Sequence, residues 1–189
     1  MLNNYNIVER RYKSLRRQLA KNKDIEQQYK SEINKLINNG DIEFVDETLL
    51  DASDPKRHIN YLPQLVVERQ DKITSKVRPV FNASSKNNQN IALNDNILCG
   101  PKTQSSINSL SILMRLKPVV LLADLQKMFH SIGYLEEPAD TQIGTDNNRD
   151  LFRILWADDG NASPEVYRFK KVTMGMRCTM RLIVDTSRS

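Results

Sequence analysis

The sequence has little cysteine and no long apolar run, and each absence excludes a class of protein. Its 2 cysteines, Cys99 and Cys178, cannot form a disulfide framework, and neither stands in a short Cys/His cluster that could chelate zinc. No stretch approaches the roughly 20 apolar residues of a membrane span, and residues 1–9 lack the apolar run of a signal peptide. We therefore expect a soluble, intracellular protein of a reducing compartment, with the cytoplasm as the default.

Positive charge is concentrated at the start of the chain. The 189 residues include 28 Lys and Arg against 23 Asp and Glu, a net charge of +5. Residues 1–40 account for all of this excess, with 9 basic and 4 acidic side chains. A basic segment of this kind favours a polyanionic partner, most often a nucleic acid, and a merely solvated helix face is the alternative. The basic residues are Arg10, Arg11, Lys13, Arg16, Arg17, Lys21, Lys23, Lys30 and Lys35.

Apolar residues recur at helical spacing in several parts of the chain. This spacing predicts helices over residues 7–20, 24–38 and 104–116, and a short one over 176–184. Asp24 is expected to cap the second helix, and Gly40 to provide a left-handed residue just after its end. Pro118 is expected to end the third helix.

Short β-rich runs are separated by polar segments. The predicted strands are 42–45, 61–68, 76–82, 151–156 and 166–172. The short charged linker between 61–68 and 76–82 predicts an antiparallel hairpin, and the polar run 84–90 predicts a loop. A continuous apolar run at 119–123 predicts a strand buried on both faces. We find no internal repeat.

Asp124 directly follows this apolar run. A carboxylate at the end of a buried strand costs several kcal/mol unless something offsets its charge. A divalent metal, a helix N-cap and a salt bridge would each provide that offset, and position alone leaves the three alternatives open.

Five strings of residues occur in a specific order: Val77–Ser84, Leu93–Asp95, Gly100–Lys102, Asp124–Phe129 and Val172–Gly175. In this order and spacing, over residues 9–180, they strongly resemble the reverse transcriptase of the Pao/BEL class of LTR retrotransposons. The resemblance implies an α+β right-hand polymerase fragment with a basic helical segment (1–40), a fingers-like antiparallel hairpin region (41–103) and a partial palm sheet with helices (104–189). The helix at 104–116 is expected to back this palm sheet.

The same resemblance implies a reaction and a catalytic site. The reaction is template-directed addition of deoxynucleotides to a primer 3′ end on RNA or DNA, with two Mg²⁺ or Mn²⁺ ions clamping the attacking and leaving oxygens. Asp124 matches the first catalytic, metal-binding carboxylate, and Leu125 would lie beside the incoming triphosphate. Phe129 matches the aromatic residue under the nucleotide sugar, with an ordinary core aromatic as the alternative.

Three further residues match substrate-binding positions. Lys76 and Arg78 lie on the predicted hairpin, where the family brings cations onto the triphosphate. A planar guanidinium suits that bidentate task better than an ammonium group. Gly175 matches the glycine that packs under template and nucleotide, where the missing side chain allows close approach.

The chain also departs from the family pattern. Asn82 replaces an aspartate, Thr179-Met180 stands where the family has Ser-Pro or a close variant, and the Tyr-X-Asp-Asp hairpin with the remaining catalytic carboxylates is absent. Asp158-Asp159 precedes the glycine motif and is typical of a surface turn, and Asp185 follows Gly175 too closely to form the missing hairpin.

Our first hypothesis is therefore a fragment of a retrotransposon RNA-directed DNA polymerase with negligible activity on its own. Template–primer and deoxynucleotides would be partners of the complete protein, within the virus-like particle if the chain is part of a polyprotein. An uncovered palm edge would favour self-association. The alternative is a degenerate, non-catalytic nucleic-acid-binding remnant, and a weaker third possibility is a coiled-coil partner, whose repeat would have to be longer.

Overall fold

The computed structural model describes residues 4–46, 58–69, 77–97, 105–121, 149–158, 163–173 and 176. These residues form a mixed α+β structure with helices and antiparallel sheets, as expected for the fold class. The elements, in chain order, are α1 (Tyr5–Leu19), α2 (Lys23–Asn38), β1 (Ile42–Phe44), β2 (Gln64–Glu68), β3 (Val77–Phe81), α3 (Leu93–Asn96), α4 (Ile107–Arg115), a 3₁₀ turn (Arg149–Phe152), β4 (Arg153–Trp156) and β5 (Glu165–Phe169).

Helices α1 and α2 form because each has one apolar stripe that can face the core. The buried residues of α1 are spaced four, three and four apart, which places them on one side of the helix. They are Val8, Tyr12, Leu15 and Leu19. In α2, Tyr29 and Ile33 are fully buried one turn apart. Both helices therefore match the sequence prediction to within two residues at each end.

The ends of α2 are set by two asparagines and a glycine. Asn22 has extended backbone angles, and its side chain accepts hydrogen bonds from the N–H groups of Asp24 and Ile25, at 3.1 and 3.4 Å. The predicted capping role of Asp24 is wrong because Asp24 already lies inside the first turn. At the other end, Asn39 is followed by Gly40 at φ +67°, as predicted.

The three-stranded sheet has the order β1-β5-β4, and all its pairs are antiparallel. Ile42 of β1 lies opposite Phe169 of β5, and Ile154 of β4 lies opposite Tyr167. All four residues of β4 are buried. The 3₁₀ turn replaces the first two residues of the strand predicted at 151–156, and β5 ends three residues before the predicted 172.

Strands β2 and β3 form the predicted antiparallel hairpin, with Gln64 opposite Phe81. The segment that leads into β2 runs alongside the start of β4: the Leu62 N–H donates to the Arg153 carbonyl at 2.7 Å, and the Arg153 N–H donates to the Asn60 carbonyl at 3.2 Å. The Gln64 amide then donates to the Leu155 carbonyl at 2.7 Å. These contacts attach the hairpin to the outer edge of β4.

The core is one cluster of buried apolar side chains that extends from Val8 to Met176. Its largest members include Trp156, Tyr29 and Phe169, each at most 1% exposed. The cluster draws residues from all three predicted segments. The predicted boundaries at residues 40 and 103 stay a prediction, because a shared core does not show which parts fold alone.

Helix α4 and the described residues after it, 116–121, are all exposed. α4 begins after Ser106, whose hydroxyl accepts from the Ser109 N–H at 3.1 Å. The expectation that this helix backs a sheet is wrong for the described residues, because none of its side chains is buried. The strand predicted at 119–123 is wrong at 119–121, where Leu121 is 92% exposed. A buried strand needs neighbours on its edges and faces, and no described residue pairs with 119–121.

Candidate nucleic-acid interface

Most of the site residues that the resemblance implies lie outside the described residues. Arg78 is described, on β3. The predicted roles of the other five stay predictions, and so does the short helix predicted over 176–184. Those five site residues are Lys76, Asp124, Leu125, Phe129 and Gly175.

The β2–β3 hairpin has two different faces because side chains alternate along each strand. The inner face includes Gln64, Val77 and Phe81, all buried against the core. The outer face carries Arg78 opposite Val67 across the pair. The hairpin therefore fixes the direction of the Arg78 side chain, because reversing it would require the buried side chains to leave the core.

The outer face combines apolar surface with one cation. Leu65, Val67 and Val80 are 48%, 39% and 37% exposed. Arg78 is partly buried among them and makes no ion pair with any described residue. A guanidinium that has no carboxylate partner can bind phosphate oxygens in a bidentate manner. The face can thus hold an anionic group beside a flat apolar one.

The nine basic side chains of the N-terminal helices and the turn between them fall into two groups, those that form ion pairs with acidic side chains and those that do not. Four of the nine cations contact acidic side chains: Lys13 contacts Glu9, Arg16 and Lys30 contact Glu26, and Lys35 contacts Glu32. The other five are exposed and form no ion pair within the described part of the chain. They are Arg10, Arg11, Arg17, Lys21 and Lys23.

The unpaired cations lie on α1, on the turn after it and at the first residue of α2, Lys23. Arg10 and Arg17 are seven residues apart, so they lie two turns apart on one side of the helix, separated by about 10 Å along its axis. Successive phosphates along one strand of duplex DNA are about 3.4 Å apart along the helix axis. The distance between Arg10 and Arg17 therefore corresponds to about three nucleotides of one strand.

A buried ion cluster joins the 3₁₀ turn to the three-stranded sheet. Asp150 is completely buried, and its Oδ1 atom lies 3.0 Å from Nε and 2.9 Å from Nη2 of Arg153, which is 1% exposed. Arg168 contacts the same oxygen at 3.5 Å, and it contacts Glu43 of β1 at 2.5 Å. Asp150 and Arg153 are enclosed, so the role of this pair is structural. The sequence prediction did not single out Asp150, although an Asp-x-x-Arg spacing that ends on the first residue of an apolar strand was the available signal.

Tyr12, Tyr29 and Trp156 form an aromatic cluster under the two helices. The ring centroids of Tyr12 and Tyr29 lie 6.5 and 5.9 Å from that of Trp156. Both hydroxyls are hydrogen-bonded: Tyr12 accepts from the Ala157 N–H at 2.9 Å, and Tyr29 donates to the Gln64 side chain at 3.0 Å. The polar atoms of the cluster are therefore satisfied, and it has no free group for a ligand.

Burial shifts the pKa values of three tyrosines upward. It raises the pKa of Tyr29 far above its ordinary value. Burial also raises the pKa of Tyr12, a rise that the Ala157 hydrogen bond and the Arg16 guanidinium partly offset. For Tyr167, desolvation and then the hydrogen bond to Glu165 raise the pKa to about 12.

These shifts predict a loss of stability at alkaline pH. Tyrosines of the unfolded chain ionise near pH 10, whereas those three keep their protons in the fold. Above about pH 10 the folded state thus binds more protons, and the free energy of unfolding falls as the pH rises. Urea unfolding at about pH 9 and about pH 11 measures the fall. We expect the free energy of unfolding to fall less between these pH values for Tyr29→Phe than for the unmodified chain. An equal fall would contradict a contribution from the raised pKa of Tyr29.

The described residues contain no metal site and no membrane span. Within the ranges given above, no group of three or more His, Cys, Asp or Glu side chains could hold a metal ion. Likewise, no described helix is both long enough and apolar enough to cross a bilayer.

Asp158 is exposed, as expected for a surface turn, and its side chain accepts a hydrogen bond from the Trp156 indole N–H at 3.1 Å. Asp159 and Asp185 lie outside the described residues.

Comparison of the chain with protein-family models gave no match, and neither did comparison with curated proteins. Its function is therefore inferred from the chemistry of the hairpin and of the helical pair.

Proposed function

We propose that this chain is the fingers and the first part of the palm of a Pao/BEL-type reverse transcriptase, and that it binds template–primer and nucleotide through the outer face of the β2–β3 hairpin. The observation that carries the proposal is the position of Arg78. Its guanidinium lies among exposed apolar side chains, makes no ion pair with described residues and belongs to a string that resembles the family's fingers motif.

The hairpin can present Arg78 without a large loss of conformational freedom on binding. Val77 and Phe81, on either side of Arg78 in β3, are 2% and 6% exposed, and Gln64 of β2 is hydrogen-bonded to both Tyr29 and Leu155. A side chain on such a fixed strand needs little further ordering when a phosphate binds. Affinity therefore benefits from preorganisation as well as from charge.

The basic helices support a nucleic-acid partner independently of the hairpin. Five exposed cations that lack a described acidic partner produce a positive potential over α1, the following turn and the start of α2. Such a potential accelerates encounter with a polyanion and gives binding that weakens with salt.

The catalytic step is proposed for the complete protein. Nucleotidyl transfer needs converging carboxylates that hold two divalent metals. Asp124 is the one position that matches them, and the Tyr-X-Asp-Asp string is absent from the sequence. This chain's own contribution is therefore to bind and orient the nucleic acid and the triphosphate, with negligible nucleotide incorporation alone.

The experiment is a fluorescence anisotropy titration of a labelled template–primer with the 189-residue chain and three variants. We expect Arg78→Ala to bind about fivefold more weakly and to reduce the salt dependence by about one phosphate contact. Arg78→Lys is expected to recover charge but not the bidentate contact. Arg115→Ala removes an equal charge from exposed α4 and is expected to bind normally.

Nucleotide binding separates this proposal from the alternative of a non-catalytic nucleic-acid-binding remnant, which the unpaired cations of α1 also favour. The probe is a fluorescent deoxynucleoside triphosphate with Mg²⁺. Binding that Arg78→Ala weakens and Arg115→Ala does not supports the polymerase fragment. Nucleic-acid binding with no detectable nucleotide binding supports the remnant.

A further inference from the structure

An open groove of about 440 Å³ lies between α1 and the loop that follows β3. Three cations line it, two from the helix and one from the loop, together with hydroxyl and amide side chains. The lining residues include Arg10, Arg11, Ser14, Lys86, Asn87 and Asn88. None of them belongs to β2 or β3, so the groove is separate from the hairpin face.

The loop wall is held in shape by hydrogen bonds within the loop. The Asn87 side-chain oxygen accepts from the N–H groups of Gln89 and Ile91, at 2.9 and 3.1 Å. Ser84 accepts from the Asn94 amide at 2.7 Å. Across the groove, Arg11 donates to the Ser85 hydroxyl. The loop is thus fixed relative to α1, and the groove exists before any ligand binds.

The groove is positively charged and rich in donors. No acidic residue is among its described lining residues. Arg10 uses Nε for the Asn6 carbonyl at 3.2 Å, which leaves its terminal nitrogens available. Lys86 is exposed and makes no ion pair within the described ranges. In addition, Nδ2 of Asn87 is buried and finds no acceptor among the described residues. The terminal nitrogens of Arg10 and the ammonium group of Lys86 match phosphate oxygens.

We infer that this groove binds the phosphate backbone of a single-stranded nucleic acid. Its volume suits a nucleotide-sized group, whereas a duplex is far wider. None of the described lining residues is aromatic, so the contact is to the backbone and carries no base preference. Arg17 and Lys21 continue the positive charge along α1 beyond the groove. The inference rests on the proposed function for the choice of nucleic acid as the polyanion.

The test compares two double variants of the full chain. Arg10→Ala/Lys86→Ala removes two groove cations and keeps Arg11, whose contact with Ser85 fixes the loop. Lys13→Ala/Lys35→Ala removes two cations of the same helical pair that are engaged by Glu9 and Glu32, so the net charge is the same. Circular dichroism and thermal unfolding check that both variants are folded.

The probe is a labelled oligothymidylate, titrated at several salt concentrations. We expect the groove variant to bind about tenfold more weakly, with a salt slope lower by about 1.4, because each single-strand phosphate contact contributes about 0.7. We expect the control variant to stay within about twofold of the unmodified chain. An equal loss in both variants would overturn the inference, since net charge alone would then explain binding.

Two further ligands distinguish the source of the phosphate. Inorganic phosphate alone is expected to compete weakly, and binding of phosphate without binding of the oligonucleotide would overturn the inference. Heparin that binds as tightly as the oligonucleotide, with the same loss in the groove variant, would also overturn it, because the groove would then accept any polyanion.

The Arg78→Ala variant separates this inference from the proposed function. If Arg78→Ala weakens template–primer binding and the groove variant changes nothing, the groove inference fails alone. If the groove variant weakens oligonucleotide binding and Arg78→Ala changes neither template–primer nor nucleotide binding, the proposed function fails. An unmodified chain that binds no nucleic acid contradicts both.

Discussion

Replacement of Asp150 by alanine is expected to lower the free energy of unfolding by about 3 to 5 kcal/mol. Asp150 and Arg153 are 0% and 1% exposed, and one carboxylate oxygen contacts both Nε and Nη2 of the arginine. Without the carboxylate, the buried guanidinium keeps the 3.3 Å hydrogen bond to the Tyr61 hydroxyl but loses both contacts with Asp150 Oδ1. The desolvation cost of its charge is then less well offset. Urea unfolding at neutral pH measures the effect.

Glu32→Ala is the matched control for this prediction. It also removes one carboxylate from an ion pair three residues apart, but Lys35 is 60% exposed and its partner is 28% exposed. We expect a change below about 1 kcal/mol, because exposed pairs are screened by water. Equal destabilisation by the two substitutions would contradict a burial-dependent role for Asp150.

Trp156→Ala is expected to cost about 3 to 5 kcal/mol through the cavity that it leaves. Trp156 is 1% exposed, and it packs against Tyr12 and Tyr29. The guanidinium of Arg16 lies 5.7 Å from the ring centroid. Substitution removes the contacts by which β4 holds both helices. Because Trp156 is the single tryptophan of the chain, unfolding is followed by far-UV circular dichroism.

Phe44→Ala provides the comparison, since it also removes an aromatic side chain from the three-stranded sheet. Phe44 is 57% exposed, and its ring centroid lies 5.9 Å from that of Tyr167. We expect a loss of about 1 kcal/mol or less. A loss for Trp156→Ala that is no larger would show that the helices are held by other contacts.

Much of the described fold could be predicted from local sequence patterns. Helical spacing located α1 and α2, because in both helices the periodic residues are the ones that pack in the core. Two β-rich runs and the short charged linker between them located the hairpin. In each of the two helices one face is buried and the other is not, and that difference leaves a periodic signal.

The remaining features depend on contacts that local patterns do not contain. The apolar run at 119–121 has the composition of a buried strand, but composition does not show whether pairing partners exist. Capping by Asn22 in place of Asp24 depends on where the first helical residue falls, which is the least predictable part of an element. The groove joins Arg11 to Ser85, 74 positions along the chain, so no window of sequence contains it.

The pairing of β1 with β5 has a consequence for folding during synthesis. Ile42 pairs with Phe169, and Tyr61 forms a bridge to Arg153. These pairings join sequence-distant segments, which raises the contact order and slows folding. On the ribosome, α1 and α2 emerge long before β4 and β5 can cover their apolar stripes. We expect the nascent helical pair to depend on chaperones until residue 169 has left the exit tunnel.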